Sequence, residues 1–163
     1  MRASTIPAAV VTAVCVVALS GCALLVEKRS LGIAADEVAV VEYYEYRWGD
    51  APETIERLTI DDPEVVAEWV RAYTDMPVSD VDPAELGTPT GEQIQSTRFT
   101  LEDGRRVEIS RILLGPKNVV VLWPDGTAKR TVWGSPGLLE AYEGVGVVDE
   151  VDAAERPDVA LPG

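Results

Sequence analysis

The chain has 163 residues, with 28 acidic and 14 basic side chains, no histidine and a formal net charge of −14 at pH 7. That balance excludes nucleic acid as a partner, because binding requires Lys and Arg to displace counterions from phosphates, and it sets the body of the protein against an anionic membrane surface. Without histidine the chain also lacks the usual general base near pH 7 and the commonest metal ligand.

The first element in chain order is an export signal. Met1 and Arg2 precede an apolar run from Ile6 to Leu19, broken only by Pro7 and Thr12, and small residues follow it. The run is too short to span a bilayer, which takes roughly 20 apolar residues. Leu19-Ser20-Gly21-Cys22 resembles the lipobox of bacterial lipoproteins. That resemblance implies a diacylglyceryl group on the Cys22 thiol, cleavage between Gly21 and Cys22, and a protein lipid-anchored on the extracytoplasmic face of the cell membrane. Cysteine usage agrees with it. The chain has two, Cys15 inside the apolar run and Cys22 at the cleavage point, so no disulfide framework remains after export. Two or more acyl chains would hold such a protein durably. Removing residues 1–21 leaves 142, enough for one domain with a sizeable core.

Residues 22–37 read as a lipidated tether, with Lys28, Arg29, Ser30 and Gly32 spacing the domain from the membrane. Val38 to Trp48 is β-branched and aromatic, which predicts a strand with Val38, Val40, Tyr44, Tyr46 and Trp48 on one face. Gly49-Asp50-Ala51-Pro52 predicts a turn, and Thr54 to Ile60 a second strand. Asp61-Asp62-Pro63-Glu64 is a helix start: Asp62 caps free amides, Pro63 suits the first position and Glu64 the positive end of the dipole. Val65, Val66, Trp69, Val70 and Tyr73 then form the apolar stripe. Asp75 to Glu92, with three prolines and two glycines, reads as a long loop with one helical turn at Pro83 to Leu86.

The second half reads as a meander. Gln95 to Leu101, Arg105 to Leu114, Val119 to Trp123 and Thr127 to Trp133 are strands joined at Asp103-Gly104, Gly115-Pro116 and Asp125-Gly126. Ser135-Pro136 starts a second helix with Leu138, Leu139 and Tyr142 on its apolar side. After Val148 the composition predicts a disordered acidic tail, residues 149–163. The expected fold is α+β: an antiparallel sheet of about five to six strands with two helices packed on one face, occupying residues 38–148. This layout, a strand, an Asp-Pro-Glu helix, then Asp-Gly hairpins, resembles small exported bacterial lipoproteins; the likeness is architectural and implies no activity.

Chemistry-bearing groups are sparse. Nucleophilic catalysis needs an activated Ser, Cys or Thr beside a base; the chain has no histidine, and the one cysteine expected after export, Cys22, is the residue that carries the lipid. Carboxylate pairs such as Glu42 with Glu45, or Asp61 with Asp62, keep a small cell-wall hydrolase open as an alternative. The loop Asp75…Asp80-Val81-Asp82-Pro83-Ala84-Glu85 is acidic but fails the EF-hand spacing, with Glu85 where glycine is required. No metal and no cofactor are expected. Two features suit a partner. Tyr43, Tyr44, Tyr46 and Trp48 include adjacent tyrosines that must point to opposite faces of a strand. Arg98, Arg105, Arg106 and Arg111 belong to a stretch, Arg98 to Arg130, with seven basic residues to four acidic in an acidic chain. The expectation is a membrane-anchored, non-enzymatic binding or accessory module that meets the bilayer through acylated Cys22 and another extracytoplasmic protein through these residues. An inhibitor or immunity-type lipoprotein is the second form of that reading, with an exposed Trp48 as its anchor.

Overall fold

A computed structural model of the chain describes residues 26–87, 91–133 and 144–159. The strands are β1 (Glu27–Arg29), β2 (Val38–Arg47), β3 (Thr54–Ile60), β4 (Met76–Asp80), β5 (Gln93–Leu101), β6 (Arg106–Gly115), β7 (Asn118–Leu122), β8 (Ala128–Thr131) and β9 (Val147–Asp152), and the helix α1 (Pro63–Ala72) lies between β3 and β4. All nine strands join one antiparallel sheet in the order β1-β4-β8-β7-β6-β5-β2-β3-β9. The protein is therefore predominantly β, with α1 the one α-helix among the described residues, and not the five- to six-stranded α+β sheet with two helices expected from the sequence. The expected second helix, the expected signal peptide and Cys22 lie outside the described residues.

Three segments account for the larger sheet. Glu27–Arg29, expected in a free tether, pairs with β4 as Glu27↔Val78, Lys28↔Pro77 and Arg29↔Met76. Met76–Asp80, expected in a loop, alternates so that Met76 and Val78 enter the core. Residues 147–152, of which 149–152 were expected at the start of a disordered tail, pair with β3 from Thr54↔Asp152 to Thr59↔Val147. Acidic composition misled here because two of the three acids on β9, Glu150 and Asp152, alternate to the exposed side, while Val151 packs with Ile55 and Tyr44.

Helix α1 forms where its start signals place it. The Asp62 carboxylate accepts from Glu64 N at 2.9 Å and Val65 N at 3.2 Å, and Pro63 follows at the first turn. Val66, Trp69 and Val70 are buried against one face of the sheet, with Val41, Tyr43, Phe99, Ile109, Val121 and Trp123. The Tyr43 and Trp69 rings lie 5.3 Å apart, and Tyr73 meets Phe99 edge-on at 5.8 Å. On the opposite face Trp48, Ile94, Ile112, Val120 and Leu122 pack with Leu86 and Val159. A bulge between Val38 and Val40 moves Val38 to the helix side with Val41 and Tyr43, away from Tyr44 and Trp48 with which alternation had grouped it.

The C-terminal segment covers part of the second face. Ala153 N donates to Glu53 O at 3.0 Å, and the Arg156 guanidinium lies over the Tyr46 ring at 4.5 Å. Entry into β9 is tight: a Cβ on Gly146 would stand 2.5 Å from the Thr59 carbonyl oxygen and 2.8 Å from a Leu58 methyl. Gly146→Ala is expected to cost about 1–3 kcal/mol, the usual range for overpacking, read as a lower urea midpoint at unchanged slope. An unchanged midpoint would mean that this segment is not docked on β3.

Candidate functional site

Strand β2 lies inside the sheet, between β5 and β3. Both of its faces are covered, and this overturns the expected partner surface. Tyr43 and Tyr44 do point to opposite faces, but both are fully buried; Trp48 is buried among Leu86 and Ile94, so it is not an exposed anchor. Tyr46 is half-buried, bonded through its hydroxyl to Ser96 Oγ at 3.1 Å and to the Pro157 carbonyl at 3.2 Å. The arginines are not a common face either. Arg98 and Arg111 are buried on opposite sides of the sheet, whereas Arg105 and Arg106 are exposed at the β5–β6 hairpin, Arg105 pairing with Asp103 of its own turn. Strand alternation separates them.

On the face away from α1 a ladder of opposite charges crosses five neighbouring strands. Asp149 on β9 takes Arg57 in a two-bond fork at 2.7 and 3.2 Å. Glu42 on β2 lies between Arg57 at 3.2 Å and Arg98 at 3.3 Å, and Arg98 reaches Glu108 on β6 at 2.6 Å. Arg98 also donates to the Tyr44 hydroxyl at 3.0 Å and to the Glu155 carbonyl at 2.8 Å. Beside it Ser96 and Ser110 share a hydrogen bond of 2.7 Å. Every charge in this ladder has a partner, and its bonds to Glu155 and Pro157 hold the C-terminal segment down. Its chemistry is structural.

The face under α1 is different. Glu45 on β2, Gln95 on β5 and Arg111 on β6 stand in one cross-strand row, Glu45↔Gln95 and Gln95↔Arg111. Gln95 is 1% exposed and neither amide atom has a hydrogen-bond partner among the described residues. Arg111, 7% exposed, donates to the Tyr73 hydroxyl at 2.9 Å and stacks over that ring at 5.1 Å, but its Nε is buried and unpartnered, and no carboxylate pairs with it among the described residues. Tyr73 is shared with Thr97 Oγ1 at 3.1 Å. Glu45 accepts from the Tyr43 hydroxyl at 3.3 Å and forms no ion pair with Arg111. Burying a guanidinium without an anion, next to an amide without a partner, is costly. Together these groups supply neither a nucleophile nor an acid–base pair.

No protein-family model, no curated protein and no solved structure matches the chain.

Gln95 was readable in the sequence, since it shares the core-facing alternation of Thr97, Phe99 and Leu101; a polar residue at such a position was the available signal. The proposed carboxylate pair Glu42 and Glu45 is divided between the two faces, so it cannot flank one bond. Of the other pair, Asp62 is occupied as the helix cap. In the acidic loop, Asp80 pairs with Lys129, Asp82 accepts from Ala84 N, and Glu85 pairs with Arg130.

Three phenols are held neutral by these surroundings. Burial pushes the Tyr43 hydroxyl well above its ordinary value of 10.0, with the Glu45 charge adding to it, and burial raises Tyr44 and Tyr46 as well. A folded-state pKa above the unfolded one contributes stability that is complete below pH 10 and lost as pH rises toward the folded values. In an alkaline titration followed at 295 nm, Tyr43, Tyr44 and Tyr46 should ionise only together with unfolding seen by circular dichroism. Ionisation of all tyrosines near pH 10 in a folded protein would contradict this.

Proposed function

We propose that the protein is a lipid-anchored, extracytoplasmic binding domain, non-enzymatic, which holds an anionic group at Arg111 and Gln95. The observation that carries the binding reading is the buried Arg111 guanidinium with no carboxylate partner, directly paired across β5–β6 with an amide that has none. A structural arginine in this fold is treated differently: Arg57 and Arg98 each have at least two carboxylates. The lipobox-like Leu19-Ser20-Gly21-Cys22 supports the anchor. The non-enzymatic reading is supported by the way Glu42, Asp62, Asp80 and Glu85 are each tied into the fold.

Two experiments test the two halves of this reading. Inorganic phosphate and acetate should raise the melting temperature of the purified domain in a saturable way beyond the effect of chloride at equal ionic strength, by about 2.7 kcal/mol of stabilisation at a hundredfold excess over Kd. Arg111→Met should abolish that rise while leaving the ligand-free protein as stable as the parent or more so, because it removes an uncompensated buried charge. A strongly destabilised Arg111→Met with no anion effect in the parent would make Arg111 a structural residue. For the anchor, Cys22→Ala should move the protein from the membrane to the soluble fraction and abolish incorporation of labelled palmitate; retention on the membrane would remove lipidation from the reading.

A further inference from the structure

The described chain begins at Val26, and Cys22 lies only four residues before it. At 3.3–3.6 Å per residue those four span about 14 Å at most. The chain cannot swing about that point, because it is fixed immediately afterwards. β1 pairs with β4. Arg29 bonds Asp125 and lies over the Trp123 ring at 4.6 Å, Lys129 bonds Glu27 at 2.7 Å, and Leu31 N donates to the Tyr73 carbonyl at 3.1 Å. A lipid on Cys22 therefore fixes which part of the domain meets the bilayer.

The surface at that corner is unlike the rest of this acidic protein. β8 runs beside β4, and Thr131 Oγ1 donates to the Pro77 carbonyl at 2.9 Å. Because Pro77 is opposite Lys28, the residues that continue β8, Val132 and Trp133, lie about two strand spacings, ~10 Å, from Lys28. Val26, Val132 and Trp133 are 57%, 61% and 45% exposed. The neighbouring charges are matched, Arg29 with Asp125, Lys129 with Glu27 and Asp80, and Arg130 with Glu85, so the local field opposes an anionic surface far less than the chain as a whole would. Exposed Trp beside Lys suits the headgroup layer, where one end of a side chain is apolar and the other wet.

We infer that the β1–β4–β8 corner is a membrane seat, with Val26, Val132 and Trp133 entering the headgroup layer and Lys28 at the lipid phosphates. This rests on the anchor at Cys22. The protein supplies its own probe: of its four tryptophans, Trp48, Trp69 and Trp123 are buried and Trp133 is exposed. Lipidated full-length protein would be reconstituted on phosphatidylcholine–phosphatidylglycerol vesicles with brominated acyl chains, and its tryptophan fluorescence recorded.

The expected result is quenching of one emission component, lost in Trp133→Phe. The double variant Trp133→Phe, Val147→Trp, which moves the exposed indole to β9 at the far edge of the sheet, should stay unquenched. Vesicle-bound protein without Trp133 quenching, or with equal quenching from position 147, would overturn the seat and leave the anchor standing. Failure of the lipidated protein to sediment with vesicles would overturn both.

Discussion

A single sheet with two apolar faces must be covered twice, and this chain has one described helix with which to do it. That constraint organises the molecule. Strands β5, β6 and β7 alternate apolar residues to both sides: Val119 and Val121 pack under α1, while Val120 and Leu122 face the other way. Burial on both faces is the situation of strands inside a layered fold, not of a sheet with one wetted side. The second cover is assembled from pieces that composition marks as surface: the turn at Pro83–Glu85 with Leu86, and the segment from Ala153 to Val159. Each is short, so each needs polar fastening.

Arg130 ties the turn through Glu85, and the charge ladder fastens the C-terminal segment. Glu42 bridges Arg57 and Arg98, both arginines reach Glu155, and Tyr46 reaches the Pro157 carbonyl. Exposed ion pairs contribute little individually, but this ladder is partly buried, its members share partners, and two of its bonds end on backbone carbonyls of the strap. The contrast with Arg111 is the functional point. On one face the fold gives Arg57 and Arg98 two or more acids each; on the other it leaves the Arg111 guanidinium to an aromatic ring, a hydroxyl and an unpartnered amide. An arrangement that costs stability and is not repaired by Glu45, the acid of the same cross-strand row, is where a ligand can repay the cost.

Helix α1 and the meander were legible because their signals are local. The Asp62 carboxylate caps amides two and three residues on, and the Asp103 and Asp125 carboxylates each accept from the amide two residues on in their own turns. β1, β4 and β9 were not legible, because each is a short strand whose stability comes from a partner far away in sequence: β1 from β4, β4 from β1 and β8, β9 from β3. Val-Val-Asp-Glu-Val-Asp reads as an acidic tail until β3 is placed beside it. The aromatic strand was misread in a related way. Alternation in β2 separates Tyr43 from Tyr44, but whether either face stays open depends on what covers it.

Length, charge, cysteine placement and the helix start are properties of the sequence by itself, since each rests on composition or on contacts within a few residues. Which tyrosines and arginines are buried, which acids are already engaged, and that Gln95 and Arg111 share a row without partners were decided by tertiary structure alone. Register across strands brings together residues that sequence spacing cannot relate, and a buried charge becomes informative only when every neighbour that could neutralise it has been placed.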